Sequence, residues 1–163
     1  MAVIVWVVEG TWPACVDAVR AHTPRGADVA LLHVTTSEVP GVARGSLTGL
    51  LGRGHPAREP EARLRASAAE AARETLDAAA ARLGRPCSRL DRSGDVEREV
   101  LAAANGADLL VLARDGDRSR PGPRSLGPQS RFVVDHAPCP LLLVWPESAP
   151  DETVLPPPPP RRP

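Results

Sequence analysis

Ala107-Asp-Leu-Leu-Val-Leu-Ala113 is an apolar run typical of a buried strand, and a loop rich in glycine, proline and arginine follows it. Residues 129–136 then have the pattern of a short helix, and Pro140-Leu-Leu-Leu-Val-Trp145 is a second strand-like run. A strand, a helix and a strand in this order predict two parallel strands joined by a crossover helix. In open sheets of this kind, ligands bind at loops that follow the carboxyl ends of the strands. Residues 114–127 are therefore the first place to look for a binding site.

The same alternation of strand and helix runs through the rest of the chain. The predicted strands are residues 2–8, 28–34, 86–91, 107–113 and 140–145. The predicted helices are residues 13–22, 61–83, 96–104 and 129–136. Continuous β-branched runs such as residues 2–8 are typical of strands buried on both faces. Thr11 precedes the first helix as its expected N-cap. The pattern predicts an α/β fold with a parallel sheet and helices on both faces.

A chain of 163 residues is long enough for one domain with a hydrophobic core. We expect that domain to span residues 1–146. Within it, residues 35–60 are rich in glycine and proline and are predicted to be irregular, with one helical turn at residues 46–51. Residues 147–163 include five consecutive prolines and are predicted to form a disordered or polyproline-like tail.

Composition excludes several classes of function. The 20 arginines balance the 20 acidic residues, so no net charge favours nucleic acid or a membrane surface as a partner. The absence of lysine excludes Schiff-base chemistry and the lysine-bearing phosphate loop. Three widely spaced cysteines predict neither disulfides nor a zinc site. With no signal peptide or membrane span expected, the sequence predicts a cytoplasmic protein.

Three segments carry a resemblance to a known family. They are Val8-Glu-Gly-Thr11, Leu31-Leu-His-Val34 and the run from Gly127 to Val144, which contains His136-Ala-Pro-Cys-Pro-Leu-Leu-Leu-Val144. Over about residues 2–145 the chain resembles the universal stress protein family. The resemblance implies a five-stranded sheet in the order 3-2-1-4-5 and a homodimer joined through strand 140–145. It also implies ATP binding, since many members bind ATP.

The family's phosphate-binding signature is G-x-x-G, nine residues, then G-[ST]. Here the first glycine is replaced by Ala113, the second is kept as Gly116, and a spacer of ten residues leads to Gly127-Pro128. Pro128 has neither a backbone N–H nor a hydroxyl, so one position removes two phosphate donors. Each lost charge-assisted hydrogen bond is worth about 1.5–3 kcal/mol. Arg114 beside the loop is a candidate for a substitute phosphate contact.

Other residues complete the implied nucleotide site. Gln129 and Ser130 offer a helix start to an anion. Glu9, Gly10 and Thr11 follow the first strand, and Glu9 stands where the family has an aspartate that contacts the nucleoside. The final candidate is Val34, at the end of the second strand. With Ala113, Arg114, Gly116 and Gly127, these residues form the predicted pocket for ATP with Mg²⁺ or another adenine nucleotide.

Two functions remain open from the sequence. One is a dimeric regulatory protein of the stress-protein type with an altered adenine-nucleotide pocket. The other is a module without a nucleotide, which acts through dimerisation and residues 35–60. No G-x-S-x-G element and no nucleophile–base pair is recognisable, so we expect no enzyme activity, no catalytic residue and no metal ligand.

Overall fold

The computed structural model describes residues 1–36 and 58–151, with the side chains of residues 58–62 excluded. Its strands are β1 (Ala2–Trp6), β2 (Asp28–Thr36), β3 (Ser88–Gly94), β4 (Leu109–Ala113) and β5 (Leu141–Val144). Its α-helices are α1 (Trp12–His22), α2 (Arg58–Leu83), α3 (Val96–Ala104) and α4 (Pro128–His136). The strands form one sheet in the order β3-β2-β1-β4-β5, and every pair is parallel. The predicted fold and strand order are confirmed.

Alternation along β1 explains why both faces of the sheet are covered. Val3 and Val5 are completely buried in a core that contains residues of α1 and α2. Ile4 and Trp6 point into a second core that contains residues of α3 and α4. Successive side chains of a strand point to opposite faces, so an uninterrupted apolar run supplies both cores. The run at residues 2–8 therefore marks the centre of the sheet.

Several element bounds differ from the sequence-based prediction. The third strand runs to Gly94 instead of residue 91, because its pairing with β2 continues from Ser88 to Gly94 although its side chains are mostly exposed. Helix α2 begins at Arg58 instead of residue 61. Pro60 does not prevent this, since N–H groups of a helix's first turn have no intrahelical acceptor. The predicted turn at residues 46–51 lies outside the described residues, and so does the tail beyond residue 151.

The strand order brings two loops to one place. β1 pairs with β2 on one side and with β4 on the other, with Val5 opposite both Leu31 and Val111. The crossover from β1 leads to β2 on one side of β1, whereas the crossover from β3 leads to β4 on its other side. The carboxyl edge between these two connections is a topological switch point. The loop after β1 and the loop after β4 therefore leave adjacent strands at the edge where ligands bind in such sheets.

Candidate functional site

The loop after β1 is short and held mainly by its backbone. Val8 accepts hydrogen bonds from the N–H groups of Thr11 and Trp12 at 3.1 and 3.0 Å. Gly10 has a φ of +77°, a left-handed conformation that glycine adopts without steric cost. Glu9 and Gly10 are exposed, and in the described part of the chain Glu9 has no hydrogen-bond or ion-pair partner. This loop leaves its one charged side chain uncommitted.

Thr11 is the N-cap of α1, as predicted, but its side chain does not cap the helix. The hydroxyl donates to the Val8 carbonyl at 3.3 Å instead of accepting from a helix N–H. Thr11 is buried, so its hydroxyl faces the protein and not the surface. Of the three predicted residues in this loop, Glu9 and Gly10 are the accessible ones.

The loop after β4, Arg114 to Gly127, closes on itself. The N–H groups of Gly116 and Asp117 donate to the carbonyls of Ser125 and Arg124 at 3.0 and 2.8 Å. A Cβ atom at Gly116 would lie 2.3 Å from the Arg124 carbonyl oxygen, a distance that no side chain can adopt. Gly116 thus serves the close approach of two backbone segments. Its amide, predicted to hold a phosphate, is bound to Ser125.

Asp115 occupies the donors at the start of α4. Its Oδ1 accepts from the Gly127 N–H at 2.7 Å, and its Oδ2 accepts from the Ser130 hydroxyl at 2.8 Å. Ser130 is only 2% exposed, whereas Asp115 is on the solvent side of the loop. Two groups predicted to bind a phosphate are therefore bonded to a carboxylate of the same chain.

Sequence reasoning missed Asp115. It stands between the two glycine positions of the family signature, next to Arg114. The available signal was an acidic side chain at a strand end followed, after a loop, by a glycine at a helix start. Such a carboxylate is favoured near the positive end of a helix.

Arg114 is also committed to the protein. Its N–H donates to the Val144 carbonyl at 2.9 Å, which continues the pairing of β4 with β5. Its guanidinium donates to the Ser125 hydroxyl and lies over the Trp145 ring, 4.7 Å from the ring centroid. The Ser125 side chain is fully buried beneath the loop. Arg114, predicted to contact a phosphate, thus links the loop to the end of β5.

The other arginines near this loop have mixed roles. Arg118 forms an ion pair with Glu147 at 3.5 Å, and Arg131 donates to the Pro123 carbonyl at 2.6 Å. Hydrogen bonds from Ser119 lower the pKa of Asp117, with smaller contributions from the charges of Arg120 and Arg124. Arg120 and Arg124 are exposed. They are the loop arginines that remain accessible to a ligand.

The remaining predicted residues lie around these two loops. Ala113 is the buried last residue of β4 and pairs with Val144. Gln129 is exposed in the first turn of α4, next to Pro128, which is the first residue of that helix. Val34 is half-buried in β2, opposite Arg92 of β3. The structure brings Gly127 and Ser130 together around Asp115, while Val34 lies on the other side of β1.

Residues 9–144 match the sequence model of the Universal stress protein family. The chain belongs to this family. Among curated protein sequences, none matches it significantly. The resemblance inferred from the three segments is confirmed.

Several solved structures of universal stress proteins and similar proteins share the fold. Hypothetical protein MJ0577 matches with a TM-score of 0.65 and 20% identity over 91% of this chain and 98% of that one. UspA from Lactobacillus plantarum matches with a TM-score of 0.56 and 21% identity over 88% and 97%. A universal stress protein in complex with cAMP matches with a TM-score of 0.56 and 18% identity over 90% and 98%. At these identities the likeness establishes the fold.

Residues 1–36 and 58–151 also bear on metal binding and on membrane insertion. No group of three or more His, Cys, Asp or Glu side chains there could hold a metal ion. No helix within the same residues is long and apolar enough to cross a membrane.

Proposed function

We propose that this chain is a dimeric, cytoplasmic regulatory protein of the universal stress protein family with an adenine-binding pocket whose phosphate half is closed. The observation that carries the proposal is the state of the donors at the start of α4. The Gly127 N–H and the Ser130 hydroxyl stand at a helix start, yet both donate to Asp115. The pocket keeps the family's position in the fold while its anion-binding groups serve the protein.

Two observations support an adenine ligand. A structural neighbour was solved in complex with cAMP, so the same fold accommodates an adenine nucleotide. Glu9 is exposed, without a partner among the described residues, at the position where the resemblance implies a nucleoside contact. Its carboxylate can accept hydrogen bonds from ribose hydroxyls or from an exocyclic amine.

The residues do not fit the phosphate chain of ATP with Mg²⁺. Gly116 and Gly127 have their amides bonded to Ser125 and Asp115, and Pro128 has no amide hydrogen to offer. A buried or half-buried donor that has a partner gains little by exchanging it for another. These groups are therefore not available to a triphosphate.

Binding of adenosine, AMP and ATP, with and without Mg²⁺, tests the proposal. The readouts are melting temperature and tryptophan fluorescence, to which Trp12 at the start of α1 and Trp145 beneath Arg114 contribute. A ligand at a hundred times its dissociation constant adds about 2.7 kcal/mol of stability. We expect adenosine to bind at least as tightly as ATP. Binding of ATP at least tenfold tighter than adenosine would contradict the closed phosphate half.

A second candidate, a module that binds no nucleotide, is favoured by the same engagement of Asp115. It predicts no shift with any of the three ligands at millimolar concentration. In that case dimerisation and residues 35–60 carry the activity, as the sequence analysis describes. We also propose that the chain is not an enzyme; phosphate release from ATP above background that is lost in Ser130→Ala would contradict this.

The proposed dimer is joined through β5. Pro140 and Val144 accept hydrogen bonds from Leu110 and Arg114 of β4 at 2.9 Å each. Because backbone groups alternate in direction along a strand, the N–H groups of Leu141 and Leu143 face the free edge. An unpaired strand edge is a template for pairing with another chain.

Sedimentation velocity of paired variants at Leu143 tests this interface. Leu143→Pro removes an outward N–H, whereas Leu143→Ala shortens the side chain and keeps that donor. We expect the alanine variant to remain dimeric. We expect the dimer of the proline variant to dissociate at protein concentrations at which the wild-type dimer is intact. If the two folded variants dissociate equally, hydrogen bonding along β5 does not hold the dimer together.

A further inference from the structure

We infer that Asp115 is a specificity-determining residue, an internal carboxylate that takes the place of a phosphate and makes the pocket select ligands without one. The inference deepens the proposed function, on which its choice of an adenine nucleoside as ligand rests. The ligand class that follows is the uncharged adenine nucleoside, in preference to nucleotides with a phosphate chain.

The first argument is the match between acceptors and donors. The two oxygens of Asp115 each accept one hydrogen bond, from the Gly127 N–H at 2.7 Å and from the Ser130 hydroxyl at 2.8 Å. Both donors lie in the first turn of α4 or directly before it, where the helix favours a negative charge. The carboxylate therefore meets the same needs that an external anion would meet.

The second argument is the use of glycine. A Cβ atom at Gly127 would lie 3.1 Å from both Asp115 oxygens, tighter than ordinary van der Waals contact. Glycine at a phosphate site lets the backbone approach an anion closely. In this chain, the anion that approaches Gly127 is the side chain of Asp115.

The third argument is preorganisation of the loop. Asp115 stands between Arg114, which is bonded to Ser125 and packed on Trp145, and Gly116, which is bonded to the Ser125 carbonyl. Both neighbours are fixed, so the carboxylate is delivered to α4 without the loss of freedom that an external ligand incurs. A phosphate has to displace it and then remain close to the displaced charge, which is unfavourable.

The experiment compares three full-length proteins: wild type, Asp115→Ala and Asp117→Asn. Asp117→Asn is the matched control, since it removes the same charge from the same loop, where the side chain of Asp117 bonds only to Ser119 among the described residues. Isothermal titration uses adenosine, ATP and inorganic tripolyphosphate as separate ligands. The adenosine arm tests the proposed function, and the tripolyphosphate arm tests Asp115 without any nucleoside.

We expect Asp115→Ala to bind ATP and tripolyphosphate about 10- to 100-fold more tightly than wild type, the range of one or two charge-assisted hydrogen bonds. Adenosine affinity should stay within about twofold in all three proteins. An unchanged affinity of Asp115→Ala for tripolyphosphate would overturn the inference, and so would an equal gain in Asp117→Asn. If the wild type does not bind adenosine, the proposed function is overturned. The tripolyphosphate result alone then decides the role of Asp115.

Asp115→Asn provides a second test that disturbs folding less. It keeps the shape of the side chain but removes the charge and one of the two acceptor oxygens. We expect a gain in tripolyphosphate affinity in the same direction and smaller than that of the alanine variant. A weaker affinity than wild type in a folded Asp115→Asn protein would also overturn the inference.

Discussion

The loops after β1 and β4 leave adjacent strands at one edge of the sheet, and they treat their polar groups in opposite ways. The first is short, uses backbone hydrogen bonds, and leaves Glu9 exposed without a partner among the described residues. The second bonds its own amides, hydroxyls and carboxylates to one another, with Asp115 at the centre. At this edge of the sheet, one loop thus leaves a charged side chain accessible, while the other bonds its polar groups within the protein.

The largest effect should come from Gly116→Ala, which attacks the closed loop. The added Cβ would lie 2.3 Å from the Arg124 carbonyl oxygen, and backbone atoms cannot move aside as a flexible side chain can. Overpacking of this kind costs about 1–3 kcal/mol. Urea unfolding should show that loss, and hydrogen exchange at the Asp117 amide should accelerate. Gly26→Ala is the control, since nothing lies within 4 Å of its added Cβ; equal stability of the two variants would mean that the loop is not closed.

Arg114→Ala should produce the next largest effect. It removes the hydrogen bond to Ser125 and the contact with the Trp145 ring. Together these are worth about 1–2 kcal/mol. Tryptophan fluorescence should report both the changed surroundings of Trp145 and the lower unfolding midpoint. The control Arg118→Ala breaks a surface ion pair with Glu147 and should lower the free energy of unfolding by under about 1 kcal/mol. If it lowers stability as much as Arg114→Ala does, the link between the loop and β5 is refuted.

Gly10→Ala tests the loop after β1 in the same way, by its effect on the free energy of unfolding. Nothing lies within 4 Å of the added Cβ, so the cost comes only from the φ of +77°, about 1–2 kcal/mol. Gly10→Asn should cost less, because asparagine tolerates this conformation better. Thermal unfolding distinguishes the two. If Gly10→Ala proves more destabilising than Gly116→Ala, the ranking of the two loops is reversed.

The smallest expected effect is a pH dependence of stability that arises from Asp117. Hydrogen bonds from Ser119 hold the pKa of Asp117 below its usual value of 3.8. Its contribution to stability is therefore complete above about pH 4 and is lost as the pH falls through the lowered folded-state pKa. The difference in urea midpoint between wild type and Asp117→Asn should be present at pH 6 and disappear in stronger acid. A difference in midpoint that stays constant with pH would exclude this linkage.

The sequence was sufficient for the sheet but not for the state of the pocket. Apolar runs such as residues 2–8 mark central strands because burial on both faces requires them, and the family segments add the strand order. β3 was harder to delimit, since the exposed Arg89 and the half-buried Arg92 carry no apolar pattern. The bonds of Asp115 join residues 12 and 15 positions apart, across a loop whose path is set by Gly116 and Ser125. No local pattern encodes such a contact.

The two bonds that Asp115 accepts from the start of α4 also depend on a single codon. Aspartate and glycine codons differ by one base, so a single point mutation at position 115 exchanges an internal anion for an empty, glycine-lined space. The bonds of Gly116, Asp117 and Arg114 to the rest of the loop do not include this carboxylate and would remain. One base change at codon 115 would therefore free the Gly127 N–H and the Ser130 hydroxyl, while Pro128 and the bonded Gly116 amide would still withhold donors from a phosphate.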